Sequence, residues 1–401
     1  MTSHELVILG GARTPMAEYV GTPGFGKLAG FSALDLGAKA AVAAMERSGV
    51  QPEQVDHTVF GNVLYTSADA LYGARNIQLK AGIPIEKPAL TVNRLCGSGI
   101  QSVISGCHLI MANEAKTVLT GGTESMSQSP HVLWNARAGY RLGMQWELQD
   151  QLMGSLRDPM CGLFMAQTAE KLGTRYGISR EEQDEFALRS HKLGAEAVKS
   201  GAFAEEIVPV EIVKRDKVVG VVDTDDHIKP ETTLEGLQKL RAAFGKDGTV
   251  TAGNASGIVD GAAALMITTA AEAQAQGWKP RAKIVAWDTV GVEPSEMGIG
   301  PAPAIRNTLD KAGVDMDAVD LFEINEAFSA QYLSVEKELE LNRDKVNVNG
   351  GAIALGHPLG ATGTRLLLTL VHNLERQGKT YGMASACIGG GQGIAMLIQR
   401  V

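Results

Sequence analysis

The stretch "TVNRLCGSGIQS", residues 91–102, places a cysteine directly before a Gly-Ser-Gly turn. Its first residues favour a strand, and the apolar residues Ile100, Val103 and Ile104 follow at helical spacing. The pattern predicts a strand, a glycine turn and a helix, with Cys96 at the N-terminus of that helix. Two interpretations of Cys96 remain open at this point: a small buried apolar residue, or a thiol made reactive by its position.

A similar pattern occurs again near the C-terminus. "VNVNGGAIALGHPLGATG", residues 346–363, joins a strand-like segment to a glycine-rich turn and an apolar helix. "TVLTGG", residues 117–122, is likewise echoed by "ASACIGGG", residues 384–391. Because the two echoes come in the same order along the chain, together they predict an internal duplication.

Short apolar runs alternate with amphipathic stretches at both ends of the chain, which predicts α/β layers with buried sheets. The middle differs, because charged helical segments and a Met/Gln/Ser-rich segment replace this alternation. We therefore expect a first core half formed by residues 1–121 plus 250–270 and a second core half at 271–401. An inserted loop domain, residues 122–249, is expected to cover a site.

Composition and charge weigh against several classes of protein. The chain has 401 residues and a net charge of −8 without a basic stripe, which disfavours a nucleic-acid partner. Its four cysteines lack CxxC spacing, so neither a disulfide framework nor a zinc finger is expected. The sequence contains no run of about 18 apolar residues, so a membrane span is not expected. A reducing compartment and a cytoplasmic location are the expectation.

The helix end alone does not make Cys96 reactive. A free thiol has a pKa near 8.5, and a helix N-terminus stabilises the thiolate by at most about 2 kcal/mol. That lowers the pKa by roughly 1.5 units at most, so a nearby base is needed. Of the eight histidines, His357 is the candidate, because the glycines around it allow backbone to approach a ligand closely. A structural role for His357 stays open.

Two further stretches carry polar or reactive groups at the ends of strand-like runs. Cys387 is followed by three glycines, but a phosphate-binding loop is excluded because no Gly-Lys-Ser/Thr follows. The glycine N–H groups suit an oxyanion instead. Asn325 stands at a strand-to-helix join, where it is either an N-cap or a polar group held at a site.

Taken together, these stretches resemble the thiolase family along the whole chain. The motifs that carry the resemblance are "ARTP", "NRLCGSG", "TAGNASGIVDGAAA", "NEAF", "NGGAIALGHPLGATG" and "CIGGGQG". The similarity is greatest to acetyl-CoA acetyltransferases and 3-ketoacyl-CoA thiolases, which catalyse reversible Claisen condensation or thiolysis. It implies a thiolase-like α/β fold of two duplicated halves, each with a mixed five-stranded sheet, and an inserted loop domain that helps to bind coenzyme A.

The resemblance also implies roles for individual residues. Cys96 would be the nucleophile that carries the acyl group, and His357 would take its proton and line an oxyanion hole. Cys387 would be the second acid/base, for which a thiol of lowered pKa is expected. Asn325 would hold a water in the first oxyanion hole. The backbone N–H groups of Cys96 and Gly389 would form a second hole.

Five further positions match places where the family contacts its substrate. Ser256 would contact the pantetheine of coenzyme A, whereas Lys229 and Thr232 would lie near its nucleotide end. Met165 and Met297 would line the pocket, although a core-filling role for each is an alternative.

The resemblance implies coenzyme A and acyl-CoA as substrates, no separate cofactor, no metal, and assembly as a homodimer or homotetramer. Two alternatives remain: a ketoacyl synthase-type condensing enzyme, and a non-catalytic acyl-CoA or lipid-binding member of the fold. Ketoacyl synthases need two histidines near the site, and only the one in the Gly-His-Pro motif is found.

Overall fold

The computed structural model describes residues 5–245 and 247–401. The strands in this part of the chain are β1 (Leu6–Arg13), β2 (Ala17–Glu18), β3 (His57–Gly61), β4 (Ala89–Val92), β5 (Val118–Glu124), β6 (His131–Leu133), β7 (Leu148–Asp150), β8 (Val210–Lys214), β9 (Lys217–Val222), β10 (Val259–Thr269), β11 (Ala282–Gly291), β12 (Leu321–Ile324), β13 (Tyr381–Ile388) and β14 (Gln392–Arg400). The helices are α1 (Ala33–Ser48), α2 (Gly73–Lys80), α3 (Ser98–Met111), α4 (Gln151–Ser155), α5 (Met165–Arg175), α6 (Arg180–Lys199), α7 (Leu234–Gln238), α8 (Ala270–Gln276), α9 (Pro301–Ala312), α10 (Ser329–Leu339), α11 (Ala352–Leu355) and α12 (Leu359–Gln377).

The two halves of the chain have the same strand order, except that the second half has four strands where the first has five. In the first half the order is β4-β3-β5-β10-β1, with β3 parallel to β4 and β5 and the other pairs antiparallel. In the second half it is β12-β13-β14-β11, with only β12 and β13 parallel. In both halves the first strand, β1 or β11, lies at the end of the half-sheet that faces the other half, and it pairs with the last strand of its own half, β10 or β14. The predicted duplication is therefore visible in the topology.

The sheets differ from the expectation of two separate five-stranded sheets in two respects. First, β1 and β11 pair at two positions, so the halves form one continuous sheet. Second, the segment after α10 supplies a single bridge, between Phe322 and Val346, where a fifth strand was expected. Asn347 explains the loss: its φ is 48°, and its side chain occupies both the N–H and the C=O of Ile324 at 2.9 Å. The Asn347 side chain thus takes the place of the backbone hydrogen bonds that a fifth strand would make with Ile324.

Helices form layers on both sides of each half-sheet. Helix α1 covers β1 and β10 on the outside of the first half, and α9 covers β11 and β14 on the outside of the second. Helix α12 packs between the halves, against β5 and β10 as well as β12 and β13, and α3 lies beside it. Since α3 and α12 occupy equivalent places in the two copies, the centre of the molecule is a pair of duplicated helices.

Glycines let α3 and α12 touch through their backbones. A Cβ added to Gly99 would lie 2.4 Å from the backbone nitrogen of Thr364, and one added to Gly363 would lie 2.4 Å from that of Ile100. No Cβ fits at such distances, because the opposing atoms are backbone and cannot move aside. The N-terminal turns of the two helices are therefore held close together.

The segment between β5 and β10 is fastened to both halves by a buried ionic cluster. Arg13 of β1 donates to Glu206 at 2.9 Å and, through both terminal nitrogens, to Asp225 at 2.7 and 2.9 Å. Thr369 of α12 donates to the same Glu206 oxygen at 3.0 Å. All four side chains are almost completely excluded from solvent. Removing one partner would leave an uncompensated buried charge, so the cluster fixes where the segment lies.

The core boundary expected at residue 121 falls inside β5, which continues to Glu124. Gly122 and Glu124 pair with Ala263 and Gly261 of β10, so the inserted segment begins after Glu124. None of the described helices combines the length and the apolar character that crossing a bilayer requires.

We predict that Gly99→Ala destabilises the protein. Alanine gains about 1 kcal/mol of helix propensity. However, the added methyl group meets the backbone of α12, and overpacking of this kind costs about 1–3 kcal/mol or more. Gly173→Ala in α5 is the matched control, because its Cβ would find its nearest neighbour at 3.4 Å. Urea unfolding should give a lower midpoint for Gly99→Ala and an equal or higher one for Gly173→Ala; equal midpoints for Gly99→Ala and wild type would contradict the close contact.

Candidate active site

Cys96 lies in a strained turn between β4 and α3. Leu95, directly before it, has a φ of 47°, and the Leu95 N–H donates to Asn93 Oδ1 at 3.0 Å. The Arg94 N–H donates to Ser98 Oγ at 2.9 Å at the start of the helix. A leucine with positive φ is uncommon, and such strain persists where the surrounding structure enforces it. The turn places the half-buried Cys96 at the N-terminus of α3, as the sequence predicted.

His357 lies between α11 and α12 and is almost completely buried. Its Nδ1 is 2.6 Å from Thr362 Oγ1, and the Thr362 hydroxyl donates to the Pro358 carbonyl at 3.1 Å. Because the single hydroxyl proton is used, Nδ1 must be the donor in the first contact. The neutral ring then has its lone pair on Nε2, which faces the Asn325 amide nitrogen at 3.3 Å. The tautomer is therefore the one in which Nε2 accepts a proton.

Burial keeps His357 neutral. It lowers the pKa of the imidazole to about 3, with a smaller contribution from the positive charge of Arg365. At neutral pH the ring is an unprotonated base rather than an imidazolium. Its Nε2 lone pair is therefore free to accept a proton, although the lowered pKa makes the imidazole a weaker base than an exposed histidine.

The two cysteines of the site keep their protons at neutral pH. Burial raises the pKa of Cys96 to about 11, although a hydrogen bond from the backbone of Gly389 acts in the opposite direction. Burial also raises the pKa of Cys387, and the nearby Cys96 raises it further. The direction is opposite to the lowered pKa expected for Cys387, because desolvation of a completely buried sulfur outweighs the favourable dipoles.

The glycine loop after β13 brings Cys387 and Cys96 together. Cys387 is fully buried at the end of β13 and packs against Met297 and Ala327. Gly389 follows two residues later, and a Cβ placed there would lie 3.3 Å from both Leu95 and Met165. The second half thus contributes a thiol and a backbone N–H to a site whose first cysteine belongs to the first half.

A cavity of about 180 Å³ opens next to these groups. His357, Ser256 and Met165 line it, and its other walls are mostly apolar. Cys96 packs against a buried apolar cluster that includes Met126 and Leu359, and these two residues also line the cavity. Among the described histidines, His357 alone lines it.

The structure separates the remaining substrate-contact candidates. Met297 does not line the cavity, because it is buried behind it against Cys387. Lys229 is exposed and Thr232 is half-buried, and neither lines the cavity. Both residues follow His227 in the sequence. The His227 ring packs closely against Gly257: a Cβ added to this glycine would lie 2.5 Å from the nearest ring atoms. Lys229 and Thr232 therefore belong to a segment that adjoins the Ser256–Gly257 wall.

Asn325 is not an N-cap. Helix α10 begins at Ser329 and is preceded by Phe328, whereas Asn325 follows β12 directly and its amide points to His357. Sequence reasoning missed Thr362, which fixes the imidazole tautomer, and Glu124, a buried carboxyl group that contributes to the raised pKa of Cys96. Thr362 stands in the "GATG" of the histidine motif, and this was the only available signal. The described residues contain no group of three or more His, Cys, Asp or Glu arranged to hold a metal ion.

Comparison with known proteins identifies the family of the chain. The family model described as "Thiolase, N-terminal domain" matches residues 6–271, and "Thiolase, C-terminal domain" matches residues 278–400. The chain is 50% identical to mitochondrial 3-ketoacyl-CoA thiolase of Homo sapiens, over 98% of this chain and 97% of that protein. It is 46% identical to acetyl-CoA acetyltransferase of Chromobacterium violaceum, over 99% of this chain and 100% of that protein.

Solved structures give the same result. The crystal structure of human mitochondrial 3-ketoacyl-CoA thiolase superimposes with a TM-score of 0.96 at 49% identity, covering 99% of each chain. The same human enzyme in complex with CoA gives a TM-score of 0.95 at 49% identity, covering 99% of this chain and 98% of that one. With both family models matched and near-complete coverage of these relatives, the chain belongs to the thiolase family and is an enzyme of the acyltransferase type.

Proposed function

We propose that this enzyme transfers acyl groups between thiols of CoA and Cys96, in the reversible thiolysis or condensation of short-to-medium 3-ketoacyl-CoA. The observation that carries the proposal is the meeting of groups from both halves. Gly389 donates to the Cys96 sulfur, Cys96 lies close enough to raise the pKa of Cys387, and a neutral His357 faces the adjoining cavity with the lining residue Ser256. Acyl transfer followed by carbon–carbon chemistry needs such a nucleophile, a base and a second acid/base.

In the thiolysis direction, the Cys96 sulfur attacks the 3-keto carbon of the substrate while its proton passes to His357 Nε2. The tetrahedral oxyanion then collapses and the C2–C3 bond breaks. Its electron pair leaves as the enolate of acetyl-CoA, which takes the proton of Cys387. The acyl group remains on Cys96 as a thioester until the thiol of free CoA attacks it and releases the shortened acyl-CoA. The proton of the CoA thiol passes to Cys387, and His357 returns its proton to the departing Cys96 sulfur.

The raised pKa values fit this sequence of proton transfers. Because Cys387 holds its proton in the resting site, it is ready to act as the acid that quenches the enolate. In the condensation direction it must first lose that proton. We assign the oxyanion positions to His357 with Asn325, and to the backbone N–H groups of Cys96 and Gly389.

Coenzyme A is proposed to enter along the Ser256 wall. Met165 contributes to the apolar lining, whereas the assignments of Lys229 and Thr232 to the nucleotide end are supported only by their proximity to that wall. No further cofactor is included in the proposal. Within the cavity, large apolar side chains such as Phe164, Phe244 and Phe328 face the acyl region and favour an apolar chain.

A homodimer or homotetramer and a cytoplasmic location complete the proposal. The hairpin of β6 and β7 supports assembly, because Trp134, Leu142, Met144 and Trp146 are exposed on or between its strands. Clustered exposed apolar residues of this kind mark interaction surfaces. The mammalian relatives are named as mitochondrial, so their names do not support the cytoplasmic location.

The central experiment separates acyl transfer from carbon–carbon chemistry. Wild-type protein should cleave acetoacetyl-CoA in the presence of CoA, followed as loss of the enolate absorbance. Cys96→Ser should lower kcat by more than about a thousandfold and give no acetyl-enzyme by mass spectrometry. Cys387→Ala should lower kcat by about 10²–10⁴-fold while Cys96 is still acetylated by acetyl-CoA.

Cys161→Ser is the control, since Cys161 is half-buried and belongs to the segment between β5 and β10. Its kcat should equal that of the wild type. A folded wild-type protein that binds CoA esters without turnover would refute the proposal in favour of a non-catalytic binder.

Thr362→Val should impair His357 without unfolding the protein. It removes the acceptor of the Nδ1–H, and an orphaned buried donor costs about 1–3 kcal/mol, which corresponds to roughly a 5- to 150-fold loss of kcat if the cost falls on the reacting tautomer. Thr364→Val, two residues along the same helix, removes a hydroxyl that donates to Gly99 and is the matched control. Equal kcat values for the two valine variants would contradict the assigned tautomer.

The alkylation rate of Cys96 should rise steeply with pH. A thiol with a pKa of about 11 next to an imidazole that stays neutral gains about tenfold in thiolate per pH unit between pH 7 and 10. Iodoacetamide modification at Cys96, mapped by mass spectrometry, should follow this slope without levelling off. A plateau below pH 8 would instead reveal a thiolate–imidazolium pair in the resting enzyme.

A further inference from the structure

Glu124, the last residue of β5, is a fully buried carboxylate outside the proposed set of reacting groups. It accepts four N–H bonds. Oε1 accepts from Asn62 Nδ2 at 2.9 Å and from the Leu64 N–H at 3.0 Å. Oε2 accepts from the Val63 N–H at 3.2 Å and from the Gly360 N–H at 2.9 Å. Burial raises the pKa of this carboxyl group to about 8, and the N–H groups of Leu64, Gly360 and Val63 act in the opposite direction. Two donors on each oxygen favour the ionised carboxylate, which has acceptors only.

On one side, Glu124 connects to the turn that carries Cys96. Val63, which donates to the carboxylate, accepts from Asn93 Nδ2 at 3.3 Å through its carbonyl. Asn93 Oδ1 in turn accepts from the N–H of Leu95, the strained residue before Cys96. Three hydrogen bonds therefore lead from the carboxylate to the residue that aims the nucleophile.

On the other side, Glu124 connects to the turn that carries His357. Gly360 lies in the first turn of α12, three residues after the histidine and two before Thr362. This contact crosses the boundary between the two halves, where Gly122 and Gly360 also touch: a Cβ on Gly122 would lie 1.8 Å from the Gly360 carbonyl oxygen. One side chain therefore holds both turns.

We propose that Glu124 is a positioning residue that sets the distance between the Cys96 turn and the His357 turn. The proposal rests on the function proposed above, because it concerns the proton transfer between these two groups. Glu124 touches no substrate in this assignment and acts through the backbone of Gly360 and the Val63–Asn93–Leu95 connection. Misplacement of a reacting group by a fraction of an ångström slows a reaction strongly. Loss of the hydrogen bonds that join the two turns through Glu124 should therefore slow the chemical step.

Glu124→Gln tests the proposal with an almost unchanged side-chain shape. A neutral amide offers one oxygen to four N–H donors, so the glutamine NH₂ must face N–H groups on one of the two sides. We expect kcat for acetoacetyl-CoA thiolysis to fall by about 10- to 100-fold, and the acetylation rate of Cys96 to fall by the same factor. KM for acetoacetyl-CoA should stay within about twofold, because the cavity walls are not altered.

Asp56→Asn is the matched control. Asp56 also accepts backbone N–H bonds beside β5, from Lys116 at 2.9 Å and Thr117 at 3.2 Å, but before the start of the strand rather than at its end. Its kcat should match that of the wild type. Rates are divided by the fraction of protein whose Cys96 becomes acetylated, so that a partly unfolded sample does not imitate a slow enzyme.

Glu124→Asp keeps the charge and loses one methylene of reach, and it also serves if the glutamine variant does not fold. We expect a kcat loss of the same order, since the shorter carboxylate cannot serve both turns. Wild-type kcat in either folded Glu124 variant, or a loss of kcat matched by Asp56→Asn, would overturn the positioning role. An inactive wild-type protein would refute the proposed function instead, so the two failures are distinguishable.

Discussion

The contact between α3 and α12 is the constraint on which the site depends. Gly99 and Gly363 bring the two helix backbones together, and the residues just before each helix are Cys96 and His357. A side chain at either glycine would push apart the N-terminal turns and therefore Cys96 and His357, the proposed nucleophile and its proposed base. Packing at the centre of the fold and geometry at the site are thus a single requirement, met because the duplicated halves face each other through equivalent helices.

The energetics of the site follow from burial more than from helix dipoles. A helix N-terminus stabilises a thiolate by at most about 2 kcal/mol, whereas full desolvation shifts a pKa by several units in the other direction. Both thiols and the imidazole are consequently neutral in the resting protein. In the proposed mechanism, negative charge develops when the substrate oxyanion forms against prearranged N–H groups, which then do not compete with water.

The sequence predicted what depends on neighbouring residues. Cys96 before a helix, Cys387 at a strand end and the repeated strand-turn-helix pattern all followed from short-range periodicity and glycine spacing. It did not predict Thr362 or Glu124, because their roles arise from partners in three dimensions: a ring nitrogen in one case, and turns from both halves in the other. The pKa direction of Cys387 was also beyond reach, since burial is set by the whole fold. The absence of the fifth strand was not predicted either, because it depends on the side chain of Asn347, which forms the hydrogen bonds that a neighbouring strand would form with Ile324.

That asparagine also decides how the sheet ends. By occupying the N–H and C=O of Ile324, Asn347 blocks further pairing at the outer end of β12, whereas no strand among the described residues lies beyond β4 at the opposite end. A sheet with one blocked edge and one open edge can be extended in one direction only. If the open edges of two copies paired with each other, none would remain for a third. Extension of the sheet would then stop at a closed pair of chains.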